Sequence, residues 1–539
     1  MMSSFRVWLL LALFRLFSVY LVVSWFVPDE IYQSTEVAHR LVFGVGHISW
    51  EWTYGLRSYL HPAIIAVFFK LLQFFDFDYR FLVYQLPRII HALLFSLGDI
   101  SYYRLCYRLS KTSRIALFSF ASYLTCWFVF YCGPRTLSNS LETSLTLIAL
   151  TWFPFEGAHE HAYTIPYIVI GLVTIIIRPT VALIWIVFGI HHLTYCWSKL
   201  YVVFALVVPT TITVIGTCVV FESLALGELN LPLWNFLSFN VLKGGSAMFG
   251  VHPWYWYFTE GLPSVLSVQF FLAVFALIGL HPLLPSYLPF CASAVYVVFH
   301  SFLPHKEQRF LLPIIPFLCL YTGVAIDKIR VSFGRAKLFP LLFTMFFINA
   351  IIALVASRYH QVGPFQASHA VITQAAESGK SFSIAALMPC YSLPGHSYFH
   401  HDVNKLRMLD CSPDISGKRA GKPDEADTFY ANHQQWLEDV FENEHQQYDR
   451  ILMYEKTYLR VADWFTRRGW IDCHRAFHSY ILTSSREDHY IKHSCNGTIV
   501  EHPEFGEVIQ LTGDQRDKVK DFLIKVGIVK EENCRVHGF

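Results

Sequence analysis

Apolar runs long enough to cross a bilayer recur through the first two thirds of this 539-residue chain. A run of about 20 apolar residues spans the hydrocarbon as a helix, so the repetition predicts a polytopic α-helical membrane protein. Eleven transmembrane helices are expected, near 7–27, 82–100, 114–132, 137–154, 163–178, 180–197, 200–220, 263–280, 283–303, 308–326 and 338–356. Composition agrees: 54% of residues are hydrophobic and 15% charged, where soluble domains average about a quarter charged. A formal net charge of +2 carries no polyanion signature and argues against a nucleic-acid partner. The first run is too long for the apolar part of a signal peptide, and Pro28-Asp29-Glu30 is no small-residue cleavage site. It is expected to stay as an anchor.

Sidedness comes from the basic loops. Arg104, Arg108, Lys111 and Arg114 follow the second span, and Lys328, Arg330, Arg335 and Lys337 separate the tenth and eleventh. Both loops are expected on the cytosolic side. Parity then places the 28–81 loop, the 221–262 loop, the 304–307 hinge and the 357–539 tail together on the other side. The Pro62–Phe75 run is apolar but short and carries Lys70, which suits a helix lying in the interface.

The first of those loops opens with two adjacent carboxylates, Asp29 and Glu30, followed by Glu36, His39, Glu51, Trp52 and Arg57. Carboxylates beside hydrocarbon are costly to desolvate unless paired or used. A solvated loop with an aromatic belt would accommodate any one of these residues, but their concentration favours an active site. The 221–262 loop adds Trp254, Tyr255, Trp256 and Tyr257, which suit either a membrane interface or the face of a sugar ring.

His305-Lys306-Glu307-Gln308-Arg309 interrupts two apolar runs at the same face. Snorkelling side chains with a Lys306–Glu307 ion pair are one reading. The other is an anion clamp for a lipid phosphate, with Lys306 and Arg309 as donors and His305 as a third contact. Arg135 and Arg178 stand alone at span ends and read as snorkelling anchors. Asp76-Phe77-Asp78 imitates a metal-holding DxD, but three residues match by chance; His191-His192 and His400-His401 lack metalloprotease ligand spacing. No metal or cofactor is expected.

The tail is polar and of domain size, with strand-like runs at 382–390 and 450–456 and a helical pattern at 436–444. A mixed α/β domain is expected. Its five cysteines show no CxxC spacing, so zinc is not indicated. Cys390 and Cys411 are candidates for a disulfide if the tail is lumenal, and Asn496-Gly497-Thr498 is a glycosylation sequon under the same condition.

Taken in order, PDEIYQSTEVAHRLVFG, SWEW, GLRSYLHP, RTLSNSLET and HKEQRF resemble the motifs of the lipid-linked mannosyltransferases of the ER lumen. These enzymes have the GT-C fold, and their HKE-type motif is represented here by His305, Lys306 and Glu307. The tail segments LMPCYSLPGHSYFH, LRMLDCSPD and DEADTFY are most similar to the branch of glycosyltransferase family 22 that acts in glycosylphosphatidylinositol (GPI) synthesis. The resemblance runs from about residue 28 to 440, departing at Ser49, where threonine is expected, and at Tyr391, where histidine is. It implies a GT-C protein of the ER membrane with active site and tail lumenal, dolichyl phosphate mannose as donor, and a di-mannosylated GPI precursor as acceptor. The product would carry a third mannose in alpha-1,2 linkage.

A beta-linked donor implies one displacement with inversion, which needs one general base and stabilisation of an oxocarbenium-like transition state. Asp29 is the implied base, with Glu30 as substitute. Glu51, Trp52 and Arg57, with Trp254 and Trp256, are expected at the acceptor or sugar, and Lys306 and Arg309 at the departing phosphate. An N-glycan mannosyltransferase would share HKE and the first loop. A lipid transporter would favour charges near the midplane, and a scaffold would have no need of Asp29.

Overall fold

The computed structural model describes residues 4–155, 165–195, 200–280, 283–414, 423–502 and 506–511, with the single positions 197, 520 and 524. The chain divides into two compact units, one of residues 1–23 and 29–358 and one of 24–28 and 359–539.

The first unit is helical. Among the described residues, Arg80–Ser110, Val203–Leu226 and Gln308–Ser378 are long and apolar enough to cross a membrane, and one bent pair meets the test together. Other expected spans are shorter helices, such as Ile165–Ile177 and Leu288–Phe302. Three expectations change in detail.

The first helix covers Ser4–Leu21 and stops short of Val27. Arg88 of the Arg80–Ser110 helix donates to the Val22 carbonyl, and the Val23 amide donates to Ser357, so the chain leaves helical geometry six residues early. The expected 263–280 span is broken at Ser267, whose φ of 53° and ψ of −126° are not helical. The flanking segments Tyr257–Leu266 and Val268–Gly279 are bent by 117°.

The last two expected spans join as Ile315–Arg358, with a break at Gly334 (φ 75°) in place of a loop. At 1.5 Å per residue its 44 residues would reach about 66 Å, roughly twice the hydrocarbon thickness. The Gly334 break lies between Arg330 and Arg335, where the two expected spans meet.

Inside the bundle, Arg15 is fully buried and forks onto Asp99 at 2.8 and 2.9 Å, and the Tyr123 hydroxyl donates to the same carboxylate at 3.0 Å. A charge in the first apolar run is tolerated because its counter-charge sits on a neighbouring helix.

The second unit carries a six-stranded sheet: β1 (Phe382–Ala386), β2 (Val403–Met408), β3 (Arg450–Tyr454), β4 (Trp470–Phe477), β5 (Tyr490–His502) and β6 (Gly506–Leu511). The order is β2-β1-β3-β5-β4, with β6 on β5. β1 pairs parallel with β2 and β3, and β5 runs antiparallel to β3, β4 and β6. Strand β3 is buried at every position, as a central strand covered on both faces must be. Cys390–Cys411 is disulfide-bonded, and a second bridge, Cys473–Cys495, joins β4 to β5. The backbone of Asn496 lies in β5, paired with Trp470.

Candidate active site

Because the chain leaves its first helix at Leu21, Asp29 and Glu30 begin a new one. It passes through a π-turn at Ile31–Thr35 and continues as Glu36–Phe43. Gly44 ends it in the left-handed region (φ 78°), its amide donating to Arg40, a C-cap open to glycine at little cost. Acidic residues at a helix start complement its dipole.

The two carboxylates meet different surroundings. Glu30 is buried: its Oε2 accepts from Arg135 at 2.5 Å, and its carbonyl accepts from Ser34 at 2.6 Å and Thr136 at 2.5 Å. Asp29 is more open, with a side chain 20% exposed, and its Oδ2 accepts from Arg309 at 2.5 Å.

Arg309 comes from a 3₁₀ turn, Gln308–Ile314, that follows an extended Glu307. Pro313 and Pro316 lack the amide an α-helix would use there. The guanidinium forks onto Glu307, Nε to Oε2 and Nη2 to Oε1, both at 2.7 Å, and Glu307 also contacts His305 Nε2 at 2.8 Å. Arg309 thus bridges Asp29 and Glu307. Burial works to raise the Glu307 pKa, but the charges and hydrogen bonds of Arg309 and His305 outweigh it and hold the carboxyl far below the usual range.

Lys306 behaves differently. It is 3% exposed, and its ammonium donates to the backbone carbonyls of His252 (3.0 Å) and Leu303 (2.5 Å). It ties the hinge to the 252–256 segment and forms no pair with Glu307. Burial lowers its pKa.

The Trp50–Thr53 turn and Gly55 present the next pair. Gly55 has φ 59°, and a Cβ there would lie 2.5 Å from Asn230 Oδ1, so no other residue fits without displacing that contact. Two residues on, Arg57 donates to Glu51 at 2.7 Å, and Gln33 holds the other Glu51 oxygen at 3.0 Å. Burial opposes the charge on Arg57, but Glu51 and then Asp29 overcome it and raise its pKa. Glu222 fixes the same turn, accepting from Ser58 Oγ at 2.5 Å and the Tyr59 amide at 3.0 Å.

Arg178 completes the group: it contacts Glu142 at 3.1 Å and lies within electrostatic reach of Arg309 and Arg57. Five carboxylates, Asp29, Glu30, Glu51, Glu142 and Glu307, thus face four arginines, 57, 135, 178 and 309. Arg135 and Arg178 are buried ion-pair members rather than the snorkelling anchors their isolation in sequence suggested. Arginine suits such forks because its donors match carboxylate and phosphate geometry.

The aromatic residues divide. Trp52 is 1% exposed, and its indole N–H donates to Tyr32. Trp256 is buried against His252 and Tyr257, whereas Trp254 is 65% exposed. Neither buried indole offers an open face. Trp52→Ala is expected to cost about 3–5 kcal/mol of stability and Trp254→Ala within about 0.5 kcal/mol. Thermal unfolding of the two purified variants checks this.

Residues 6–400 match the family model described as the Alg9-like mannosyltransferase family. A short second match, to translation initiation factor SUI1, falls on 488–529, too little of the chain to define a family. The chain is 32% identical to GPI alpha-1,2-mannosyltransferase 3 of Bos taurus, over 88% of this chain and 86% of that protein. It is 34% identical to GPI mannosyltransferase 3 of Drosophila melanogaster, over 81% and 77%. The crystal structure of ArnT from Cupriavidus metallidurans bound to undecaprenyl phosphate aligns with a TM-score of 0.56 at 12% identity, covering 90% of this chain and 97% of that one. That likeness is one of fold, and the fold is of GT-C type.

Proposed function

The chain belongs to the Alg9-like mannosyltransferase family, and from that premise we propose that it transfers the third mannose, in alpha-1,2 linkage, from dolichyl phosphate mannose to a di-mannosylated GPI precursor. The proposed place is the lumenal face of the ER membrane. The observation that carries this reading is the Asp29–Arg309–Glu307 bridge, in which a partly exposed carboxylate at the start of the first loop shares its guanidinium with the HKE-type motif.

The reaction asks for one base and one group to receive negative charge. The acceptor hydroxyl loses its proton to Asp29 as its oxygen bonds to the mannose carbon. The bond from that carbon to the phosphate oxygen breaks on the opposite face, and dolichyl phosphate leaves with the electron pair. A lipid phosphate needs no general acid. Each arginine of the site already has a carboxylate partner, so an arriving phosphate competes for one. Arg309 is where competition is productive: as it turns toward the phosphate, it loosens Asp29 and frees that carboxylate to take the hydroxyl proton.

His305 acts through Glu307, and Lys306 holds the loop that carries them. Direct phosphate contact therefore falls to Arg309, with Arg57 and Arg178 adding to the field. Glu51 and Arg57 orient the acceptor, and the exposed Trp254 is the indole left to meet sugar or membrane. The reading invokes no metal or other cofactor, since its cations are the chain's own arginines. The relatives named for GPI mannosyl transfer support the acceptor, and the undecaprenyl phosphate bound to ArnT supports a lipid-phosphate donor.

The test is a microsomal assay with radiolabelled dolichyl phosphate mannose in cells lacking the endogenous GPI enzyme. Addition of one mannose to the accumulated two-mannose glycolipid is expected. Label entering only N-glycan precursors would overturn the choice of acceptor.

A further inference from the structure

The second unit holds a cavity that the transfer reaction does not use. β3 and β4 both run antiparallel to β5, so their carboxyl ends point the same way. At that end a cavity of about 390 Å³ is lined by Tyr430, His433, Lys456, Thr457, Arg460 and Arg486, among others.

Two features suit the cavity to an anion. Lys456 and Arg460 lie four residues apart on the Glu455–Arg467 helix, both exposed and without a carboxylate partner among the described residues. Like charges at that spacing repel, and Lys456, in the first turn, also faces the positive end of the helix dipole. The cavity's carboxylate, Asp427, is already taken by Arg486 at 2.6 Å. Independently, His433 is nine-tenths buried in the lining with no hydrogen-bond partner at Nε2, and the Tyr430 hydroxyl also lacks one. Burial, then Arg460, lowers the His433 pKa, and burial keeps the Tyr430 phenol protonated.

We propose that this cavity binds a phosphate-bearing ligand, a free phosphate ester or a lipid headgroup, through Lys456, Arg460 and Arg486, which line it beside His433 and Tyr430. Guanidinium and ammonium groups converging beside neutral polar tips are the donor set a phosphate takes.

Hydrogen exchange on the full-length protein tests this. In detergent the probes are inorganic phosphate and phosphoethanolamine; in nanodiscs they are phosphatidylcholine alone and phosphatidylcholine with phosphatidylinositol. Saturable protection of 427–433 and 455–460 is expected, with affinity falling at least about tenfold in Lys456→Gln/Arg460→Gln. Arg460→Gln alone, at an exposed position, serves if the double variant is poorly folded. Protection by the soluble probes assigns a free phosphate ester, and protection in phosphatidylinositol discs alone assigns a headgroup. No protection in any arm, or equal protection in the variants, would overturn the proposal. None of these readouts depends on mannosyl transfer.

Discussion

Asp29→Asn is expected to lower mannosyl transfer by about two to four orders of magnitude, the usual loss of a positioned general base, while leaving abundance and melting temperature close to wild type. The side chain is partly exposed, and among the described residues its one ion-pair partner is Arg309, at Oδ2. The other oxygen is open to take a proton, and asparagine preserves the shape and one acceptor. Glu30→Gln should behave in the opposite way. Glu30 is buried and neutralises the fully buried Arg135, so removing its charge strands a guanidinium, at a cost of about 3–5 kcal/mol. Lower abundance is the expected signature there, with transfer per folded molecule reduced far less. Single-turnover transfer in microsomes, normalised to the amount of folded protein, separates the two. Full activity in Asp29→Asn would move the base to Glu30.

The sequence made Asp29 and Glu30 visible for a simple reason: charge next to hydrocarbon needs a partner, and none stands nearby in the chain. The partners were out of view. Arg135 and Arg178 each looked solitary because their carboxylates, Glu30 and Glu142, are brought to them by folding. The usable signal was that a lone arginine and an acidic residue each sat in an apolar stretch, which calls for pairing them with each other rather than with solvent.

Lys306 and Arg309 looked equivalent as phosphate donors. The difference is one of reach, since the ammonium lands on two backbone carbonyls while the planar guanidinium spans two carboxylates. Trp52 could not be told from Trp254 by composition, because burial is set by what packs over each ring. In the fold, long apolar runs were legible as helices. The break after Leu21 was not, because it is imposed by contacts from other segments, and that at Ser267 was not, because a serine carries no sequence mark for the left-handed φ it adopts. Strands β1 and β3 could be read as short apolar runs, whereas the sheet order and the Cys473–Cys495 bridge depend on long-range pairing that spacing does not encode.

Arg309 carries the second large effect. Arg309→Lys keeps a charge but cannot fork onto Glu307 and hold Asp29 together, so the rate should fall by about a hundredfold, mainly in kcat, because the interaction lost is the one that grows as the phosphate departs. Arg309→Gln should also lose stability, since Glu307 and Asp29 are left facing each other without the charge between them. The pH dependence gives an independent check on that cause. In the wild type, Arg309 and His305 hold Glu307 far below its ordinary value against the effect of burial. A depressed carboxyl contributes stability that is fully present above its unfolded pKa of about 4.3 and is lost as pH falls below it. Without the guanidinium, burial is opposed by His305 alone and the carboxyl titrates higher than in the wild type, so acid weakens the variant less than the wild type. The gap in melting temperature between wild type and Arg309→Gln should therefore be widest near neutrality and narrow as pH falls through about 4. Thermal unfolding of both proteins in detergent across that range measures it. A gap that stays constant would mean that the lost stability comes from packing, and that the bridge does not set the charge of Glu307.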